Sequence, residues 1–278
     1  NKMKSKFFNF SMIIMVLFSM FFYGCKKDSP ISSENPTNGT KKLKISDFSD
    51  YGVIHNEFLT NIKHNFKTNL DLIDEKNKIE YINTYNVQYA KVNDFKIVGR
   101  ESLISALNEK KNYINKLNIV DEMFYNKTKG TDSLNIFFQI QEISKRNVIS
   151  PFGANLLENI SLQIKNNYEG LVSDILFKEN IASLVNEYNS HNYLPDSEEG
   201  IIIGKVLSIT LYSIEWWEQN PDIFKGEKIA PWVIADAAGA LGGAIGSIAD
   251  NLFNGESVNW ASAGAWALGG AVGGSSGV

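Results

Sequence analysis

The hydrophobic pattern along most of the chain has the three- and four-residue spacing of amphipathic helices. Between Gly170 and Tyr188 the apolar residues fall on one stripe, which we expect to face a core. This stripe comprises Leu171, Val172, Ile175, Leu176, Leu184, Val185 and Tyr188. Further helices are predicted at about 49–72, 75–92, 100–118 and 132–146. The sequence has no runs of alternating β-branched residues of the kind that indicate strands. The pattern therefore predicts an all-α protein, a multi-helix bundle.

Two of the predicted helices have recognisable starts. Ser150 can cap a helix whose first residue is Pro151, because a serine oxygen accepts free backbone N–H groups and proline lacks one. Asp196 or Ser197 can cap another helix, and the segment that follows, 201–217, is apolar on nearly every face. A helix that is apolar all round lies in a core, so we expect this helix at the centre of the bundle.

Residues 229–278 form a glycine- and alanine-rich tail with an internal repeat. The segment 240–246 (ALGGAIG) returns as 267–273 (ALGGAVG), and in each copy glycines recur at four-residue intervals. Residues four apart share one helix face, and glycine on that face lets another backbone approach closely. We therefore predict a glycine-zipper-like helical hairpin that turns within 250–259.

The hairpin needs close surroundings, because each glycine lowers the stability of an isolated helix by about 1 kcal/mol. Three environments meet that need: the helical body of the same chain, a membrane, or a second copy of the chain bound through the same glycine faces. The twenty-two residues 257–278 are uncharged and long enough to cross a hydrocarbon core of about 30 Å, whereas the thirteen between Asp236 and Asp250 are too few. The sequence leaves all three environments open.

The first twenty-five residues have the order of a bacterial lipoprotein signal. Three lysines precede seventeen mostly apolar residues, 7–23, and Gly24 then precedes Cys25, the only cysteine. The segment resembles signals in which the cysteine is diacylated and becomes the new N-terminus. Cys25 is therefore the predicted lipid-attachment residue, and acyl chains hold a protein on a bilayer because each buried CH₂ contributes about 0.8 kcal/mol. An uncleaved signal anchor with an incidental cysteine is the alternative.

These features divide the chain into four predicted parts. They are a signal peptide at 1–24, a flexible tether at 25–45, a helical domain at 46–228 and the glycine-rich hairpin at 229–278. Loss of the signal removes three of the 27 basic residues and none of the 31 acidic ones, which changes the net charge from −4 to −7. Anionic headgroups repel such a chain, so the lipid has to supply the attachment.

Composition and spacing exclude several kinds of chemistry. A single cysteine, three histidines and a net charge of −4 argue against a disulfide framework, a zinc site and a nucleic-acid interface. Gly273–Gly277 matches the Gly-x-Ser-x-Gly pattern without the strand, acid and histidine that a hydrolase needs, and 200–206 departs from the phosphate-loop spacing. His55 and His64 fit no zinc spacing, and we expect His55 and Asn56 to cap or to hydrogen-bond within the first helix. We predict no catalytic, cofactor-binding or metal-ligating residue, and a protein that is not an enzyme.

Several short motifs are similar to those of a group of uncharacterised Bacteroidota lipoproteins. In that group a Gly-x-x-His-Asn-x-x-Leu segment begins the helical body, a late helix ends in Ser-x-x-Tyr-Trp, and a Trp and an Asp-Ala-x-Gly segment follow. The corresponding residues here are Gly52, His55, Asn56, Leu59, Ser213, Trp216 in place of the commoner tyrosine, Trp217, Trp232, Asp236, Ala237 and Gly239. The resemblance implies an all-helical lipoprotein anchored in the outer membrane, facing the periplasm or the cell exterior. It implies no activity.

The sequence thus predicts a lipid-anchored protein of the cell envelope that acts by binding or interaction. The lipid would contact the membrane, and the glycine-rich tail would contact a partner helix or another copy of the chain. A membrane-active bacteriocin- or toxin-like protein, whose tail inserts into a target bilayer, is the alternative. We predict no cofactor and no nucleic-acid partner.

Overall fold

Helices account for all the regular structure that the computed structural model describes. The described residues are 41–66, 75–93, 95, 97–113, 119–125, 135–220 and 229–275. A short 3₁₀ helix, Ile45–Phe48, leads into α1. The α-helices are α1 (Ser49–Phe66), α2 (Glu75–Val92), α3 (Arg100–Tyr113), α4 (Ile119–Tyr125), α5 (Ile136–Lys145), α6 (Pro151–Tyr168), α7 (Asp174–His191), α8 (Glu198–Gln219), α9 (Ile229–Phe253) and α10 (Trp260–Gly274). The predicted all-α, multi-helix fold with a C-terminal helical hairpin is confirmed.

Side-chain caps set where several of these helices begin. The Ser150 hydroxyl oxygen accepts from the backbone N–H of Gly153 at 3.0 Å, and the predicted proline follows it at the first position of α6. Ser197 accepts from the backbone N–H of Gly200 at 3.1 Å at the start of α8. Each cap satisfies one of the backbone donors that the first helical turn leaves without a partner. The starts of α6 and α8 are thus where their capping serines predict them.

Helix α8 lies at the centre of the bundle, as its apolar sequence predicts. Its residues from Gly200 to Thr210 are buried, apart from the half-buried Ile201. Two glycines let large side chains lie flat against its backbone: the Tyr193 ring covers Gly200, and the Phe48 ring covers Gly204. A Cβ at either position would overlap the ring.

The predicted stripe at 170–188 is only partly buried. Gly170 has a positive φ of 72° and Ser173 caps α7, so the helix begins at Asp174, and Leu171 precedes it. The buried face of α7 comprises Phe177, Ile181, Leu184 and Tyr188. Ile175 and Leu176 lie outside that face and are exposed, as is Leu171. The expectation that these three residues face the core is therefore wrong.

The hairpin of α9 and α10 is antiparallel and closely packed through glycines. A Cβ on Gly239 would overlap the backbone of Gly270, and one on Gly243 would overlap the carbonyl oxygen of Trp266. Gly274 stands in the same relation to the carbonyl oxygen of Ala235. The paired positions run in opposite directions along the two helices. The two copies of the repeat therefore meet each other within one chain.

The hairpin is enclosed by the other helices rather than attached to their outside. Helix α9 packs against α5, α6 and α8, and α10 packs against α3 and α8. At Gly269 a Cβ would lie 2.7 Å from the Cβ of Ala106 in α3. Within the described residues, the segment Pro231–Phe253 is long and apolar enough to cross a membrane, but 83% of its most apolar window is buried inside the protein. Core helices pass the same test of length and composition.

Candidate functional site

The most polar part of the core is built around one carboxylate, Asp236, on α9. The side chain is fully buried. Its Oδ2 atom accepts hydrogen bonds from the Ser213 hydroxyl at 2.6 Å and from the Trp217 indole N–H at 2.9 Å. Its Oδ1 atom accepts from the hydroxyl of Ser275, which directly follows α10. Three donated hydrogen bonds compensate the carboxylate for its removal from water.

A histidine on α1 completes this cluster. The His55 ring is fully buried, and its Nε2 atom lies 3.5 Å from Asp236 Oδ2. Its Nδ1 atom lies 3.1 Å from Asn56 Oδ1, and Asn56 Nδ2 donates to the carbonyl oxygen of Tyr212 at 3.0 Å. Because Asn56 Nδ2 donates to a carbonyl group of α8, Asn56 Oδ1 is the atom that faces the imidazole and acts as an acceptor. We therefore place the proton of the neutral His55 ring on Nδ1. The Nε2 atom faces Asp236 Oδ2 without a hydrogen bond.

We define the Asp236 cluster as Asp236, His55, Ser213, Trp217 and Ser275. Serine, histidine and aspartate also occur in hydrolase triads, where the histidine lies between the nucleophile and the acid. Here both hydroxyls donate to the carboxylate directly, and all five side chains are buried. The geometry therefore joins α1, α8, α9 and the end of α10, and it offers no accessible nucleophile.

Four residues of the short sequence motifs belong to this cluster: His55, Ser213, Trp217 and Asp236. The expected hydrogen bond between His55 and Asn56 is present, although the pair also reaches across to α8 and α9. The Trp217 ring stacks on that of Trp232, with centroids 5.3 Å apart. The role of Asp236 was not predicted from the sequence. The signal was available, because a lone acid within the apolar segment 232–249 must be buried and hydrogen-bonded.

A lysine occupies a second buried position. Lys205 of α8 is nine-tenths buried, and its Nζ atom lies 4.5 Å from the centroid of the Tyr51 ring. Gly264 of α10 leaves space for the ammonium group, since a Cβ there would lie 2.5 Å from Nζ. Burial lowers the pKa of Lys205 to about 8 and raises the pKa of Tyr51 to about 12. The ring face offers the cation a partial substitute for water.

A glutamate links the starts of α6 and α8. The Glu199 carboxylate accepts from the backbone N–H and the hydroxyl of Ser150 at 2.6 and 2.7 Å, and from the Tyr193 hydroxyl at 2.6 Å. Burial raises the pKa of the Tyr193 hydroxyl, and the neighbouring Glu199 raises it further. This arrangement uses the carboxylate to hold two helix ends together, which is a structural role.

A shallow groove runs between α1 and α8 on the surface. Its lining residues are Val53, Asn56, Glu57, Thr60, Asn61 and Tyr212. The groove has a volume of about 320 Å³ and is broadly open to solvent. We refer to it as the α1–α8 groove. Asn56 lies in this groove and also contacts His55, so a single residue separates the groove from the Asp236 cluster.

The remaining motifs from the sequence have no geometry for catalysis. The 200–206 segment lies inside α8, where its backbone N–H groups are used within the helix. Gly273 and Gly274 end α10, and residues 276–278 lie outside the described part of the chain. The predicted lipid-attachment residue Cys25, with the signal and most of the tether, also lies outside it. No group of three or more histidine, cysteine and acidic side chains among the described residues could hold a metal ion.

Comparison of the chain with protein families, with curated proteins and with solved structures finds no match to any of them.

Proposed function

We propose that this chain is a lipid-anchored protein of the cell envelope that acts by binding rather than by catalysis. One contrast carries the proposal. Among the described residues, the cluster that combines serine, histidine and aspartate, the Asp236 cluster, is buried in the core. The α1–α8 groove is open to solvent, and its lining includes the Glu57 carboxylate, the Val53 side chain and the Tyr212 ring. Such groups recognise a ligand without altering it.

The proposed anchor is the acylated thiol of Cys25. Fifteen residues separate it from Lys41, the first described residue, and a fully extended chain of that length spans about 50 Å. A tether of this reach allows the helical body to meet partners near the membrane surface. The net charge of −7 after signal removal supports an attachment by lipid rather than by electrostatic attraction.

The anchor is tested by the substitution Cys25→Ser in a bacterial host that acylates lipoproteins. We expect the unchanged protein in the membrane fraction after carbonate extraction and the variant in the soluble fraction, because the serine cannot carry the lipid. Ser29→Ala is the control, since it alters the same segment and leaves the thiol in place. Retention of the Cys25→Ser variant in carbonate-washed membranes would refute the anchor.

The membrane-active alternative requires α9 and α10 to leave their present contacts. Insertion would expose the glycine faces that pair Gly239 with Gly270 and would remove Asp236 from its three donors. We therefore favour binding over insertion. Release of a trapped dye from vesicles of phosphatidylethanolamine and phosphatidylglycerol by the full chain would favour the alternative.

A further inference from the structure

The hydrogen bonds already made within the α1–α8 groove leave mainly acceptors for a ligand. Asn56 uses its oxygen on His55 and one N–H on Tyr212. The Thr60 hydroxyl donates to the backbone oxygen of Asn56 at 2.8 Å and accepts from the Trp216 indole N–H at 3.1 Å. The polar groups of Asn56 and Thr60 therefore hold α1 and α8 together, and few of their hydrogen-bonding atoms remain for a ligand.

One side chain in the groove retains a strong acceptor, the carboxylate of Glu57. Asn61 is engaged within the protein, because it donates one N–H to the backbone oxygen of Glu57 at 3.1 Å and its side chain hydrogen-bonds to the Tyr89 hydroxyl. The Glu57 carboxylate makes no hydrogen bond or ion pair within the described part of the chain. The pKa of the Tyr89 hydroxyl is raised first by burial and then by the negative charge of Glu57.

The exposed charges around the groove are mainly acidic; Lys63 of α1, a cation beside it, donates to Asn220 Oδ1 at the end of α8 at 2.6 Å. Asp50 lies seven residues before Glu57 on α1 and therefore two turns away on the same side, and Glu215 follows Tyr212 by three residues on α8. Both are exposed. No lysine or arginine is among the lining residues. A ligand with positive charge complements this surface.

The rest of the lining is apolar and held in place. The Tyr212 ring packs directly against Gly52 of α1, where any Cβ would overlap it, and Val53 lies beside it in the groove. Because Asn56 binds both His55 and the Tyr212 backbone, the floor of the groove is fixed to the core. A rigid site loses less conformational entropy on binding than a flexible one.

We propose that the α1–α8 groove binds an arginine side chain of a basic segment of another protein. The guanidinium group is planar, so it can meet the Glu57 carboxylate with two parallel hydrogen bonds and lie over the Tyr212 ring. Its methylene stem matches the apolar surface of Val53. This inference rests on the proposed binding function and does not depend on the lipid anchor.

The test measures binding of a peptide with the sequence Gly-Arg-Gly-Arg-Gly, blocked at both ends, to the full chain in a non-ionic detergent. We expect NMR shift changes confined to the segments around 53–61 and 212–216. A matched peptide with citrulline in place of arginine keeps the shape and removes the charge, and we expect it to bind about tenfold more weakly.

Two protein variants separate the groove from general attraction to an acidic protein. Glu57→Gln should weaken binding of the arginine peptide about tenfold, because it removes the charged acceptor. Glu198→Gln is the control: it removes an exposed glutamate fourteen residues, or about 21 Å of helix, before Tyr212 on α8, and it should leave binding unchanged. Thermal melting of both variants checks that they fold.

Three results would overturn the inference: no binding of the arginine peptide, equal binding of the citrulline peptide, or equal loss in the two variants. Failure of the proposed function is seen in a different experiment. In that case the Cys25→Ser variant stays in carbonate-washed membranes, whatever the peptide does.

Discussion

Lys205 is a single residue whose burial lowers the stability of the fold. The ammonium group lies among apolar side chains of the central helix, and its contact with the Tyr51 ring returns only part of the lost hydration energy. The apolar neighbours of Lys205 predicted a central helix, but they did not predict that the ammonium group itself would be enclosed. A lysine on an apolar helix usually extends to the surface. Here the lack of a side chain at Gly264 leaves room for the ammonium group inside the bundle.

The charge of Lys205 predicts how stability depends on pH. Burial lowers the pKa of the folded state to about 8, below the ordinary lysine value near 10.4 in the unfolded chain. Between these values the unfolded chain keeps the proton that the folded chain releases, so the contribution of Lys205 to the free energy of unfolding rises from pH 8 to pH 10, by about 3 kcal/mol at most. Below pH 8 both states are charged, and this contribution to stability stays constant.

Urea denaturation at several pH values measures this effect in the variant Lys205→Met. We expect the variant to be more stable than the unchanged protein at pH 7, with a difference that shrinks as the pH approaches 10. The exposed Lys91→Met, on α2, is the control and should show no such trend. A difference that does not change with pH would mean that Lys205 keeps its proton in the core.

At the scale of elements, the repeat in the tail predicted two helices with glycine faces, and the structure has them. What the sequence left open was the surface that those faces meet. The contact depends on carbonyl groups of the opposite helix, such as that of Trp266, which any backbone provides. A pattern of small residues therefore indicates close approach without naming the partner. The surface that the glycine faces contact depends on the surrounding helices, which come together only in the folded chain.

The two faces of α9 give this contact a sharp test. Gly243→Ala places a Cβ on the carbonyl oxygen of Trp266, whereas Gly246→Ala, one turn later, places it where no atom lies within 4 Å. We expect Gly243→Ala to lower the free energy of unfolding by about 1–3 kcal/mol, because two backbones must separate. Gly246→Ala should raise it by up to about 1 kcal/mol through helix propensity.

Thermal and urea unfolding of both variants measure the difference. The same chemical change is made in the same helix, so intrinsic propensity affects both alike. Equal effects of the two substitutions would show that α9 and α10 do not touch at Gly243 in solution.

At the scale of the whole molecule, the Asp236 cluster joins parts of the chain that are far apart in sequence. His55 lies in the first helix, Ser213 in the eighth, and Ser275 beyond the last described helix. Caps and hydrophobic spacing are local signals, and they predicted every described α-helix except the short α4, with the starts of α6 and α8 at their capping serines. They did not predict the cluster, because a contact between residues 181 positions apart leaves no trace in local periodicity.

Replacement of one carboxylate oxygen of Asp236 by an N–H₂ group should therefore lower the stability of the bundle. Asp236→Asn removes the charge and replaces an acceptor with an N–H₂ group that faces the donors Ser213 and Trp217. We expect the free energy of unfolding to fall by about 3 kcal/mol, since a buried network of this kind loses more than a single neutral hydrogen bond when one member changes. Asp250→Asn, in the same helix but exposed, should change it by less than about 0.5 kcal/mol.

Amide hydrogen exchange followed by mass spectrometry checks where the loss occurs. Protection should fall together in α1, α8 and α9, which Asp236 connects, and a loss confined to the turns next to residue 236 would mean that the cluster does not hold these helices together.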